Sequence, residues 1–119
     1  MERIRYFPQF VVVLGCGWRP RYAFAVKSSM TTLTLGLAQI KTKLGDVQAN
    51  LEKHLAYVDQ AAAQGVQLLC FPELSLTGYV LQDLVSTVAH RPSPDDPIFS
   101  PLLAATLSRK LDLMVGFVD

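Results

Sequence analysis

A run of helical periodicity set between two apolar runs constrains this chain more than any other feature. Val47, Leu51, Leu55, Val58 and Ala62 recur at spacings of three and four, with Gln48, Glu52, Lys53, Asp59 and Gln60 on the other side. That pattern predicts an amphipathic helix, and both ends are marked. Gly45 and Asp46 form a turn whose aspartate can cap the helix, and Gly65 can take the left-handed conformation that closes it without steric cost. Before the helix, LTLGLAQ at 33–39 mixes alternation with a short apolar stretch; after it, VQLLCF at 66–71 is apolar apart from Gln67. Both read as mostly buried strands.

The pattern then repeats. Ser100 followed by Pro101 reads as a cap with proline in the first helical position, and Leu102, Leu103, Leu107 and Leu111 supply an apolar face. LDLMVGFV at 111–118 reads as a third apolar strand, and HRPSPDDP at 90–97 as an exposed loop. Strand, helix, strand, loop, helix, strand predicts an α/β fold with parallel neighbours joined by crossovers, its strands covered on both faces. Three strands make a small sheet with exposed edges, which looks like part of a domain rather than a complete one.

Composition agrees with a packed core, since half of the 119 residues are hydrophobic and 18% are charged. A net charge of +1 offers no electrostatic case for a nucleic-acid partner. The charge is uneven, however. Residues 1–29 carry Arg3, Arg5, Arg19, Arg21 and Lys27 against Glu2 alone, whereas residues 30–119 are mildly acidic. The apolar patch FVVVLGCGW at 10–18 is too short to span a bilayer, so no membrane partner is expected. Residues 1–29 therefore read as a basic extension: an upstream mis-start ahead of Met30, a targeting segment, or extra structure. Residues 30–119 are the body. Cys16 and Cys70 form neither a CxxC pair nor a cluster with histidine, so neither a disulfide framework nor a zinc site is indicated. Cys70, inside an apolar run, reads as a buried, inert thiol.

Glu73 is the candidate for chemistry. It follows the second strand and Pro72, and ligand-binding groups of open α/β sheets collect beyond the carboxyl ends of strands. Half enclosed by Phe71, Leu74 and Tyr79, its carboxylate would be desolvated toward a pKa useful for taking a proton at neutral pH. The alternative is a partly solvated glutamate capping the following turn. His54 and His90 lack spaced partners and read as surface residues; Asp95 and Asp96 read as a solvated turn. Gly15 and Gly17 are too little for a dinucleotide fingerprint. Tyr79 can line a pocket or pack in a loop, and Lys110 reads as a solvated residue at a helix end.

Several pieces together carry a resemblance: AQ at 38–39, GD at 45–46 with Asn50 and Leu51, AAAQG at 61–65 and above all FPELSLTGY at 71–79, followed by QDLV at 82–85. Residues 33–118 resemble, in element order, the amino-terminal part of the nitrilase or carbon–nitrogen hydrolase superfamily. The resemblance implies an incomplete, nitrilase-like, four-layer αββα sandwich. It implies hydrolysis of non-peptide carbon–nitrogen bonds, amidase-type, through a glutamate, a lysine and a cysteine. Glu73 matches the glutamate, the general base. Family lysine and cysteine positions follow the strand matching LDLMVGFV, so the expectation is a chain carrying one third of the constellation and inactive alone.

Further expectations follow from the resemblance. The route needs no metal or organic cofactor; the substrate of the full-length protein is a small amide or nitrile; the complete protein is a cytoplasmic homo-oligomer. Two alternatives stand beside the amidase reading: the glutaminase domain of an NAD synthetase-like amidotransferase, and a non-catalytic interaction module that pairs through a sheet edge.

Overall fold

The structure, a computed structural model, describes residues 3–7, 10–14, 32–79 and 81–118. Strands β1 (Arg3–Phe7), β2 (Phe10–Leu14), β3 (Leu35–Leu37), β4 (Leu68–Cys70) and β5 (Asp112–Gly116) form one sheet in the order β1-β2-β5-β4-β3. Strands β3, β4 and β5 run parallel, as the strand–helix–strand pattern requires. The crossovers contain α1 (Val47–Ala63), then a short α2 (Val85–Val88) and α3 (Phe99–Arg109).

Helix α1 begins where Asp46 accepts a hydrogen bond from Ala49 N at 3.1 Å, and it stops before Gly65 at φ +73°. Its inward row is Val47, Asn50, Leu51, His54, Val58 and Ala61. The buried stripe thus sits one residue away from the expected one at two places, taking in His54 and Ala61 while Leu55 and Ala62 are half-buried. Val47, Leu51, Val58 and Ala61 of this row share one core with Phe99, Leu102 and Leu103 of α3 and Leu69, Leu113 and Val115 of the sheet. Phe99 meets Phe117 edge-on with centroids 4.9 Å apart. Each fully buried leucine here contributes about 1.5–3 kcal/mol.

The sheet is not covered on both faces by the described residues. Leu35 and Leu37 are 51% and 77% exposed, and Leu33 is 59% exposed. Across the register, Leu37 lies beside Cys70 and Cys70 beside Met114, so one apolar row runs over the open face. Both long crossover helices lie over the opposite face, which is why the buried residues of β4 and β5 alternate.

Two further differences concern ends. The outer edge of β5 is occupied: β2 pairs with it antiparallel, from Phe10↔Gly116 to Val13↔Leu113, and β1 pairs with β2. The apolar FVVVL segment thereby satisfies backbone groups that the expected free edge would have left open. Cys16, Gly15, Gly17, Arg19, Arg21, Lys27 and Met30 lie outside the described residues. Ser100 does not cap α3. Asp96, in the turn ahead of it, takes up the leading amides instead, its Oδ1 accepting from Ile98 N at 2.8 Å and Phe99 N at 3.1 Å, and the helix starts at Phe99 with Ser100 and Pro101 already inside it.

Candidate active site

Beyond the carboxyl end of β4 the chain turns sharply, and the turn carries Glu73. Phe71 still belongs to the ladder, its N–H donating to Met114 O at 2.9 Å. Its ring is buried against His54, at 4.1 Å between centroids, and edge-on to Tyr57 at 6.4 Å. Residues 73–77 are then wound into a turn by Ser75 N→Pro72 O (3.2 Å), Thr77 N→Leu74 O (3.1 Å) and Gly78 N→Leu74 O (2.7 Å). Leu74 pays for this with a left-handed φ of +50°, a cost of about 1–2 kcal/mol for a residue with a Cβ.

The turn holds that conformation because neighbours grip it from three sides. Leu76 N donates to Gly116 O of β5 at 3.0 Å, and Gly45 N donates to Thr77 O at 2.9 Å. From α1, Asn50 Nδ2 donates to Leu76 O at 2.9 Å. Gly116 has to be glycine here: a Cβ would stand 2.4 Å from Leu74 N and 2.9 Å from both Glu73 C and Pro72 O. The backbone under Glu73 is therefore fixed by long-range contacts.

Its side chain is not enclosed by the described residues. Glu73 is exposed, Phe71 is turned into the core at 4% exposure, and Tyr79 is 60% exposed. The expected apolar collar does not form, because Phe71 is spent on His54 and Tyr57. An open groove of about 550 Å³ lies elsewhere, lined by Leu44, Asp46, Leu84, Val88, His90 and Ile98 among others, and Glu73 is not in its wall. What the arrangement offers is a carboxylate with an accessible head on a stiff base, able to accept a proton from a group brought to it.

The other singled-out residues sort as follows. Cys70 is half-buried on the open sheet face, where burial pushes its thiol pKa up and so away from the reactive thiolate. Lys110 is exposed at the C-cap of α3 with φ +57°. Neither histidine is an isolated surface residue. His54 is 0% exposed, with Nδ1 2.6 Å from Asn50 O and Nε2 2.9 Å from Ser75 Oγ. His90 Nδ1 lies 3.0 Å from Asp96 Oδ2. Asp96 is accordingly part of a half-buried pair: desolvation alone would raise its pKa, but His90 and the amides of Ile98 and Phe99 together hold it low. Asp95 stays exposed in the turn.

The structural roles of Asn50, His54, Ser75 and Gly116 are not in the sequence reading, which has Asn50 and Ser75 only as parts of the family motifs and His54 as a surface residue, whereas all three are buried. For two of them a signal existed: Val47, Leu51, His54 and Val58 share one helical spacing, and Asn50 adjoins that row. For Gly116 none did.

Comparison with known proteins gives a consistent result. The family model described as carbon-nitrogen hydrolase matches residues 34–118. Glutamine-dependent NAD(+) synthetase of Thermotoga maritima is 43% identical over 90 residues, 76% of this chain and 16% of that protein. The protein of the same name from Aquifex aeolicus is 43% identical over 53 residues, 44% of this chain and 9% of its own length. That from Acinetobacter baylyi is 32% identical over 56 residues, 47% of this chain and 10% of its length. The chain thus matches between 9% and 16% of the length of these relatives.

Proposed function

The chain belongs to the carbon–nitrogen hydrolase family, and from that premise we propose that it is the amino-terminal part of a domain that hydrolyses the side-chain amide of glutamine for a synthetase. The observation that carries this reading is the accessible carboxylate of Glu73 on an immobilised turn beyond the carboxyl end of β4. Relatives named for glutamine dependence favour that amide over other amides and nitriles.

In this reading Glu73 takes the proton of a cysteine thiol, and the thiolate attacks the amide carbon. A lysine stabilises the negative oxygen of the tetrahedral intermediate, and ammonia leaves with the proton that Glu73 returns. Water then attacks the thioester, Glu73 accepts its proton, and glutamate departs as the thiol is restored. The lysine and cysteine come from chain after residue 118. The open apolar face of β3, β4 and β5 becomes the inner face of a four-layer αββα sandwich, covered by a second sheet.

The test is glutamate release from glutamine by the full-length protein. Glu73→Gln should lower kcat by about 10²–10⁴-fold while the unfolding midpoint stays put, since the side chain is exposed. A Glu73→Gln protein that still hydrolyses glutamine at the parent rate overturns the proposal. A second reading, an interaction module, is favoured by one observation: among the described residues β3 ends the sheet with an unpaired edge and exposed leucines.

A further inference from the structure

A chain of buried polar groups ties helix α1 to the turn that carries Glu73, and with a neutral imidazole its hydrogen bonds run in one direction. His54 Nδ1 lies 2.6 Å from the carbonyl oxygen of Asn50. A carbonyl oxygen only accepts, so Nδ1 carries the hydrogen. In the neutral ring Nε2 then has a lone pair, and the Ser75 hydroxyl 2.9 Å away donates to it. Ser75 is fully buried, as are His54 and Asn50. Asn50 completes the set, accepting from Lys43 N at 2.7 Å and donating to Lys43 O at 2.8 Å and Leu76 O at 2.9 Å. Every buried side-chain polar atom among the described residues has a partner.

This arrangement does something that packing alone would not. A leucine at position 54 would also fill the space against Phe71, and replacing a hydrogen-bonded pair by apolar groups of similar shape is often near neutral for stability. An apolar pair would not set the rotation of the backbone at Ser75, two residues from Glu73. The left-handed Leu74 lies between them, and a turn under that strain relaxes when a restraint is lost.

We propose that His54 and Ser75 are positioning residues: a neutral, single-tautomer strut from α1 that fixes the turn and so aims the carboxylate of Glu73. The proposal rests on Glu73 being the general base of the domain. Its effect is on the placement of the base, so it belongs in kcat more than in KM.

The experiment uses the full-length protein with glutamine as probe, and compares Glu73→Gln, His54→Leu, Ser75→Ala, the double variant and His54→Gln. His54→Leu and Ser75→Ala should each lower kcat about 10- to 100-fold, the range of a small misplacement of a reacting group, with KM within about twofold. The double variant should be no worse than the more damaging single one, because both break one strut. His54→Gln, whose amide oxygen can accept from Ser75, should recover most of the activity. ¹⁵N NMR of the parent imidazole should show Nε2 unprotonated and Nδ1 protonated at neutral pH. A parent-like kcat in folded Ser75→Ala or His54→Leu, or a protonated Nε2, overturns the strut. If His54→Leu fails to fold, Ser75→Ala, His54→Gln and the tautomer still decide. Activity retained by Glu73→Gln sinks the base assignment, and the strut with it; an inactive Glu73→Gln beside a fully active Ser75→Ala sinks the strut alone.

Discussion

Burial of the His54 imidazole makes the folded state sensitive to acid. Burial pushes its pKa from 6.5 down to about 4, the nearby Lys53 charge adding to the effect and the Asn50 carbonyl opposing it. Between those two values the unfolded chain binds a proton that the folded chain refuses. Stability present above about pH 6.5 is therefore lost as pH falls toward 4, by on the order of 3 kcal/mol once complete. Denaturant titrations across that interval should show the slope, and His54→Leu should abolish it. Asp46 titrates lower, since its hydrogen bond with Lys43 holds its carboxyl below 3.8, so its contribution falls away outside the same interval. The position of Glu73 was legible from its motif and from the rule about strand ends. Its exposure was not, because it depends on where Phe71 and Tyr79 turn, which no local pattern states.

Among the elements, α1 was readable nearly to its ends, and α3 was readable apart from its first turn. Ser100-Pro101 and Asp96 are both acceptable starts by residue type, and the choice fell to Asp96 because its other oxygen is held by His90. Asp96→Ala should cost about 1–2 kcal/mol, as loss of a side-chain acceptor for a helix's leading amides does, whereas Ser100→Ala, exposed and inside the helix, should stay within about 0.5 kcal/mol. Thermal melts of the two variants separate these outcomes, and equal losses would return that role to Ser100. The first body strand proved shorter than the apolar run around it, Leu35–Leu37 against residues 33–39. Hydrophobicity marks a residue as fit for burial, while a ladder also needs a partner strand of matching length.

The molecule as a whole is a mixed sheet with helices over one face and a row of leucines on the other. Exposed apolar surface of that kind favours association, so the 119-residue chain alone should self-associate. Leu37→Lys, placed at the most exposed of these leucines, should shift it toward monomer in analytical ultracentrifugation. A parent chain that sediments as a monomer at all concentrations would mean that this face is already covered within the chain. By itself the sequence determined the class and order of the body: parallel strands alternating with helices, the turns at Gly45 and Gly65, and Glu73 just past a strand. These are local matters of spacing and residue type, and so they are written locally. Only the tertiary structure decided that β2 would take the outer edge of β5, that Gly116 would press against Leu74, and that His54 would reach Ser75 across 21 positions of chain. Those contacts join residues far apart in sequence, where periodicity carries no information and close packing alone selects the partner.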